Sequence, residues 1–598
     1  MQEVRVGLLR RPAFWVTLLI ILDLIVQYWL LHRGWKANPM LWVPQTDGRE
    51  YWDGAGRIAE GHWIGAEPFV SAPLYSYFLG LIRWLGGGLL SVYVVQIFLR
   101  SLTAALLFRL GARRLGHSGY GLAAAVLFLT IGEPAFFSQR ILNSSLQLFL
   151  IAGFLCAASA VERRPRKLSL LGAGLVLGLN ILANPTMLLL LAALPLWLGW
   201  KSRVAWKSTA SVAAAALLMV SPATLHNWLA TRNGPGGPEV ILVSAQSGVT
   251  YAHGNSSIAF GVYAPVPGVS TEHKFQNQSA YQTAKAATGK EGWRNANDYF
   301  FRLGLDWILS HPSEALTLHL RKISFLLFSR NYSDISPLAQ EVRDPQLPAP
   351  VILPGGGLPT GWLIVPALVG AGFLLARRGR QGVMDVALLL LPIAIVIVFW
   401  FSPRYRLPLA VPACLLAPYG LVALARLGPP TWGGLLCLLA LGVPASIEAS
   451  LRAKGFDNVA IYRPEYEMHV GEAWMDSQHP AQALERFERA IQSGHRPATV
   501  YEFSALMKLD LAKPLFSSGD SARAEALVRE SLPLFTQSLE LDPQRYQAWA
   551  ARGMTHLWFG MKQEGLADLY RALDVARAQN VPEDVAALQS AIARAEQG

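Results

Sequence analysis

Long apolar runs recur through the first 450 residues of this 598-residue chain, separated by short stretches where arginine and lysine cluster, and then they stop. A soluble core has no place for so many consecutive apolar segments, whereas a run of about 20 residues matches a hydrocarbon layer of roughly 30 Å. Hydrophobic residues make up 52% of the chain and charged residues 15%. Mean hydropathy is +0.31, so much of the chain must face lipid. The net charge of +12 does not point to nucleic acid. Its cations lie between apolar runs, and no basic patch with interleaved aromatics occurs.

Three basic loops orient the runs: Arg113 to Ser118, residues 161–167 and residues 376–380. With these on the cytoplasmic face, a parity count gives about eleven spans, the last four near 359–376, 383–401, 406–425 and 431–448. Arg5, Arg10 and Arg11 precede the first apolar run, predicting an uncleaved signal-anchor with a cytoplasmic N-terminus. Residues 32–91 then form a first outer loop and 226–358 a large one. Within them, 73–90 is expected to lie along the interface, because it opens with Pro73, carries Arg83 and ends in three glycines. The run 313–328 carries His319, Arg321 and Lys322 and is expected to stay outside as well. An odd number of spans puts the C-terminus outside, in the periplasm of an inner-membrane protein. Cys156, Cys414 and Cys437 sit in apolar runs without zinc spacing and read as packing residues.

The fold class expected is all-α: a polytopic helix bundle over 1–449, followed by an extracytoplasmic α-solenoid over 450–598. Gly471, Ala483, Phe487 and Ala490 match the tetratricopeptide pattern, and Gly553 and Ala572 repeat it. Phe535 and Pro543 fit a middle repeat, with an insertion around 508–522 loosening the period. A generic array of helical hairpins is the alternative.

Acidic residues at the mouth of a membrane domain are costly unless they have a task. The stretch QTDGREYWDG places Asp47, Glu50 and Asp53 there. A cap for the following helix explains Asp47 structurally, with Glu50 favoured in the first turn by the macrodipole. FSPRYRLP at 401–408 puts Arg404, Tyr405 and Arg406 at the outer end of a span, where arginine is disfavoured and where its planar fork suits phosphate oxygens. An interfacial anchor pair is the alternative. Asp23 lies mid-span, and a buried hydrogen bond to another helix is expected for it. No Walker, Rossmann or nucleophile-elbow motif is present, which argues against ATP-driven export and nucleotide-sugar chemistry.

In residue types and spacing, the Asp47 loop and the Arg404–Pro408 element resemble the GT-C glycosyltransferases, integral-membrane enzymes that take a sugar from a polyprenyl-phosphate donor. The resemblance covers the layout of about the first 430 residues, the lumenal protein O-mannosyltransferases and the aminoarabinose transferases being similar in kind. It implies an inverting transfer to a protein, envelope glycan or lipid, with Asp47 as the essential acid and Arg404, Arg406 and Tyr405 on the donor phosphate. It also implies a second polar group in the next outer loop. Glu133 is the acid available there, with Arg140 and Asn143 nearby, and this loop departs from the family's usual tyrosine-rich, acid-bearing stretch. His253 and Asn255, flanking Gly254, resemble the Gly-Asn segment that lines the acceptor or sugar site, though a turn needing glycine explains the dipeptide equally well. A magnesium or manganese ion on Asp47 is compatible with this scheme. A polyprenyl-linked sugar flippase and a non-catalytic scaffold acting through its repeats are the other readings. The first would need intramembrane charges along a path, for which Asp23 is the candidate.

Overall fold

The computed structural model describes residues 12–199, 202–270, 273–327, 338–353, 356–427, 458–494, 496–579 and 581–597. Every regular element among them is helical, apart from an isolated bridge between Ile131 and Leu358. The chain divides into two compact units, Met1–Asn458 and Val459–Gly598. The sequence boundary at 449/450, the run 431–448, Cys437 and the N-terminal arginines all lie outside the described residues.

Among the described residues of the first unit, six helical stretches are long and apolar enough to cross a membrane: Pro12–Ala37, Leu89–Arg114, Ser144–Arg163, Arg203–Thr231, Thr360–Val398 and Pro403–Ala425. Thr360–Val398 holds two of the expected spans, joined through the short turn Gly379–Gly382. Ser118–Thr130, Lys167–Ala183 and Pro185–Leu198 are apolar but shorter. The chain is an integral membrane protein. Small residues let the helices close in: the carbonyl of Phe108 lies 2.2 Å from where a Cβ on Gly121 would stand, and that of Leu416 lies 2.2 Å from one on Gly370. Such close approach is how helices associate where lipid offers no hydrophobic drive.

Pro73–Trp84 is a 12-residue helix, too short to span at 1.5 Å per residue. It packs on Asp47–Ala59, with the Arg83 guanidinium 4.5 Å from the Trp52 ring and donating to the Trp52 carbonyl at 3.0 Å. Trp84 and Leu85 stay exposed at its end. Pro312–Leu327 buries Lys322 and exposes Leu316 and Leu320.

Asp23 receives Arg100 at 2.5 Å and Ser101 at 3.3 Å, the interhelical hydrogen bond expected of it. Polar contacts gather the two ends of the bundle. At one, Arg114 donates to Asp385 (2.5 Å), Glu162 (2.9 Å) and the Gln381 carbonyl (2.9 Å), while Trp197 also reaches Glu162. At the other, Asn38 and Arg140 meet Glu341, Asn227 holds the backbone of Phe69, and Asn255 reaches the Val398 carbonyl. The three basic loops therefore share one end, and the Asp47, Arg140 and Arg404 segments share the other.

In the second unit, successive helices pack as neighbours. Ala483, Phe487 and Ala490 are fully buried, and the Phe487 ring fills the space in front of Gly471. Gly553 admits Gly565 and Leu569 in the same way. The insertion around 508–522 is helical. It lengthens Ala498–Ser518 and Ser521–Leu541 to 21 residues each, against 13 for Pro480–Gln492, and Gly519 turns between them at φ +86°.

The shared ends make a topological prediction. With single cysteines from Arg164→Cys, Arg380→Cys and Arg232→Cys, an impermeant thiol reagent applied to intact cells should modify either the first two or the third alone. Joint labelling of Arg232→Cys with either of the others would contradict the packing.

Candidate active site

Two segments 357 residues apart meet here. Arg404 Nη1 donates to Asp47 Oδ2 at 2.5 Å, and both side chains remain part-exposed. Asp47 is not the cap of its helix. The N-cap is Thr46, whose φ of +46° puts a β-branched residue in left-handed territory and whose side chain makes no capping bond. Backbone strain of this kind, costing about 1–3 kcal/mol, clusters where a side chain must be aimed. Asp47, in the first helical position, is turned towards Arg404 instead. Gly48 is needed beneath it, since the Ile141 carbonyl lies 3.1 Å from where its Cβ would be.

On the same helix, Glu50 accepts from Ser71 at 2.9 Å. Tyr51 is buried edge-on against Tyr75 at 5.0 Å. Burial, then the charges of Asp47 and Glu50, push its phenol well above the usual range, so Tyr51 stays protonated beside the carboxylates. Asp53 lies further along the helix.

Opposite, Val383–Val398 ends in an extended segment, and Ser402 restarts a short helix, Pro403–Arg406, by accepting from the Arg404 backbone at 3.2 Å. This turn sends Arg404 and Arg406 to different places. Arg406 has no exposed surface: it pairs with Glu133, and its other nitrogen lies 3.5 Å from the Leu326 carbonyl. Thr360 donates to the second oxygen of Glu133. Glu133 and Arg406, expected as a second acid and a phosphate fork, are thus committed to each other inside the protein. Arg140, expected in the pocket, is likewise buried against Glu341, with Phe136 beneath its guanidinium at 4.5 Å. Asn143 donates to the Ala183 carbonyl.

The 247–261 segment docks on the same extended stretch. Phe401 N–H donates to the Gly261 carbonyl at 2.8 Å, and the Phe399 carbonyl stands 2.0 Å from a Cβ on Gly254. Glycine at 254 is therefore a packing requirement. His253, Tyr263, Trp400 and Tyr405 follow ring to ring, at 4.7, 5.7 and 4.9 Å, and lead to Arg404. His253 Nδ1 donates to the Ala264 carbonyl at 2.7 Å, which leaves Nε2 as a buried acceptor with no partner; Trp400 Nε1 is a buried donor with none. Burial pushes His253 down to about 4, so it stays neutral.

Asn255 is structural: its amide donates to the Tyr251 and Val398 carbonyls, and its oxygen accepts from Lys322 Nζ at 2.9 Å. Lys322, which the sequence marked only as a reason for 313–328 to stay outside, is wholly buried, its other partner being the Ile397 carbonyl at 3.2 Å. Both partners are uncharged, and burial lowers its pKa to about 7. Sequence reading also passed over Thr360, Glu341 and Ser71. Among the described residues, no group of three His, Cys, Asp or Glu side chains is placed to hold a metal.

A family model described as dolichyl-phosphate-mannose-protein mannosyltransferase matches residues 70–226. That stretch contains Glu133 and Arg140 and stops short of Asp47 and Arg404. No curated protein matches the chain. Solved structures similar to it include the archaeal oligosaccharyltransferase AglB from Archaeoglobus fulgidus, in complex with an inhibitory peptide and a dolichol-phosphate. The identity is 13%, the TM-score 0.38, and the match covers 80% of this chain and 59% of that one. The chain thus spans about three-fifths of that relative's length.

Lys322 gives a pH test. A base with a folded pKa of about 7, against its ordinary 10.5, leaves the unfolded state binding more protons between those values, so stability rises with pH across that window. Thermal unfolding of the purified protein should show this rise from pH 7 to 9, and Lys322→Met should flatten it. An unchanged slope in the variant would remove Lys322 as its source.

Proposed function

We propose that the chain is a membrane glycosyltransferase that moves a sugar from a polyprenyl-phosphate donor to a protein or envelope acceptor on the extracytoplasmic side. The observation that carries this reading is the part-exposed Asp47–Arg404 pair at 2.5 Å. It brings a carboxylate and a phosphate-matching cation to one point, at the end of the bundle opposite the basic loops. The match of residues 70–226 to a mannosyltransferase family model supports the same class.

In this scheme Asp47 takes the proton of the acceptor hydroxyl as its oxygen bonds to the anomeric carbon, and the bond from that carbon to the phosphate oxygen breaks. One displacement inverts the centre. Arg404 holds the departing phosphate through charge-assisted hydrogen bonds, with Tyr405 beside it. Glu50, fixed by Ser71, sets the charge around Asp47. The Glu133–Arg406 pair acts at one remove, anchoring the turn on which Arg404 stands. The unpartnered His253 Nε2 and Trp400 Nε1 offer an acceptor and a donor to sugar hydroxyls. If a divalent cation takes part, Asp47 is the ligand, and the ion would neutralise phosphate charge. The helical repeats, read as tetratricopeptides, would recruit the acceptor. A flippase finds less support, because Asp23 and Arg100 neutralise each other within the bundle.

Asp47→Asn should leave the amount of folded protein nearly unchanged and lower transfer from a synthetic polyprenyl-phosphate sugar by a factor of roughly 10² to 10⁴. Near-normal turnover would reduce Asp47 to a structural role and send the search for the base to Glu50.

A further inference from the structure

A cleft of about 240 Å³ opens in the first unit, away from the Asp47–Arg404 pair in sequence. Its walls are the 66–68 segment, the Gly234–Gly237 turn and the facing sides of His273–Thr288 and Trp293–Ser310. Trp293 and Tyr281 form an aromatic pair at 5.3 Å on one wall. Gln278 and Gln282, one helical turn apart, and Glu67 on the opposite lip are exposed, and among the described residues none of the three has a hydrogen-bond partner. The remaining polar groups are spent. Glu239 accepts from the Trp293 and Arg294 backbone at 2.8 and 2.6 Å, and the Tyr281 hydroxyl joins Glu291 to the Gly292 N–H.

This chemistry selects a ligand. Among the described residues no lysine or arginine lines the cleft, the helix N-terminus on its wall is already occupied by Glu239, and Glu67 adds negative charge, which disfavours phosphate there. The described residues contain no sheet edge against which an extended peptide could pair. An aromatic face, two amides able to donate and accept, and one carboxylate instead suit the apolar C–H face and the hydroxyls of a neutral sugar ring. The volume, below the roughly 300–1,000 Å³ of pockets for drug-sized ligands, fits about one ring. We infer that this cleft is a binding subsite for a neutral saccharide unit of the acceptor, an inference that rests on the glycosyltransferase reading. Its link to the reaction centre is the segment 65–71. That segment lines the cleft at Ala66–Pro68, is pinned by His226 to the Gly65 N–H at 2.9 Å and by Asn227 to the Phe69 N–H at 2.8 Å, and ends at Ser71 on Glu50.

The test is saturation-transfer NMR on the full-length protein in nanodiscs, using a panel of neutral disaccharides built from glucose, mannose, galactose and N-acetylglucosamine. At least one should bind, and Trp293→Ala or the double variant Gln278→Ala/Gln282→Ala should weaken it on the order of tenfold, the effect of about 1.4 kcal/mol. The two glutamines are exposed, so the double variant tests the cleft even if Trp293→Ala folds poorly. Asp47→Asn should leave this binding intact. Binding of no disaccharide, binding indifferent to both variants, or capture of a basic peptide by the same residues would overturn the subsite. Saccharide binding at the cleft together with full transfer by Asp47→Asn would overturn the assigned chemistry and leave the subsite standing.

Discussion

A charge inside an apolar bundle has to bring its partner with it. An unpaired ion there costs several kcal/mol, and the membrane unit meets this constraint by pairing across long sequence distances: Asp23 with Arg100, Glu133 with Arg406, Arg140 with Glu341, and Arg114 with Asp385 and Glu162. These pairs do more than neutralise. Each ties elements that the chain separates widely, and together they draw the loops to two distinct ends. Pairs of this kind are weak evidence for net stability, because desolvation offsets the attraction, but removing one partner is expensive. Their effect is to fix which helices meet, and hence where the functional loops lie.

Against that background the Asp47–Arg404 pair differs in one physical respect: it is part-exposed. A buried pair has no exchange partner, whereas an exposed guanidinium can trade a carboxylate for a phosphate with little change in solvation. The short helix after Ser402 separates the two arginines accordingly, Arg404 outward and Arg406 inward. Among the described residues Lys322 departs from the pairing rule: it is held by two neutral oxygens, and burial lowers its pKa. Its location ties the large loop to the end of the Val383–Val398 helix, next to the stretch carrying Trp400 and Arg404.

Much of this was legible in the sequence. Apolar runs and basic loops grouped the segments by bundle end, because lipid exposure and loop charge are local properties of the chain. That Asp47 and Arg404 share one site was implied by the resemblance of their two segments to the GT-C enzymes, and not by anything local to either segment. What could not be read was which charge pairs with which. Glu133 and Arg406 each looked available for ligand, since nothing local reveals that two residues 273 positions apart meet. Gly254 looked like a turn residue or a site marker, whereas the structure makes it a contact point for the Phe399 carbonyl. The insertion near 508–522 loosened the repeat period, yet its residues continue both helices, because helix-forming sequence on each side of Gly519 lets the pair lengthen together.

The central claim is that Arg404, and not Arg406, faces the donor phosphate. Phosphorus NMR of a polyprenyl phosphate bound to the protein in nanodiscs tests it most directly, comparing Arg404→Lys and Arg406→Lys. Lysine keeps the charge but loses the planar fork, so the account predicts that Arg404→Lys weakens binding and moves the bound phosphorus resonance. Arg406→Lys, to the extent that it folds, should leave that resonance where it is. A resonance that responds to Arg406→Lys and ignores Arg404→Lys would contradict the account.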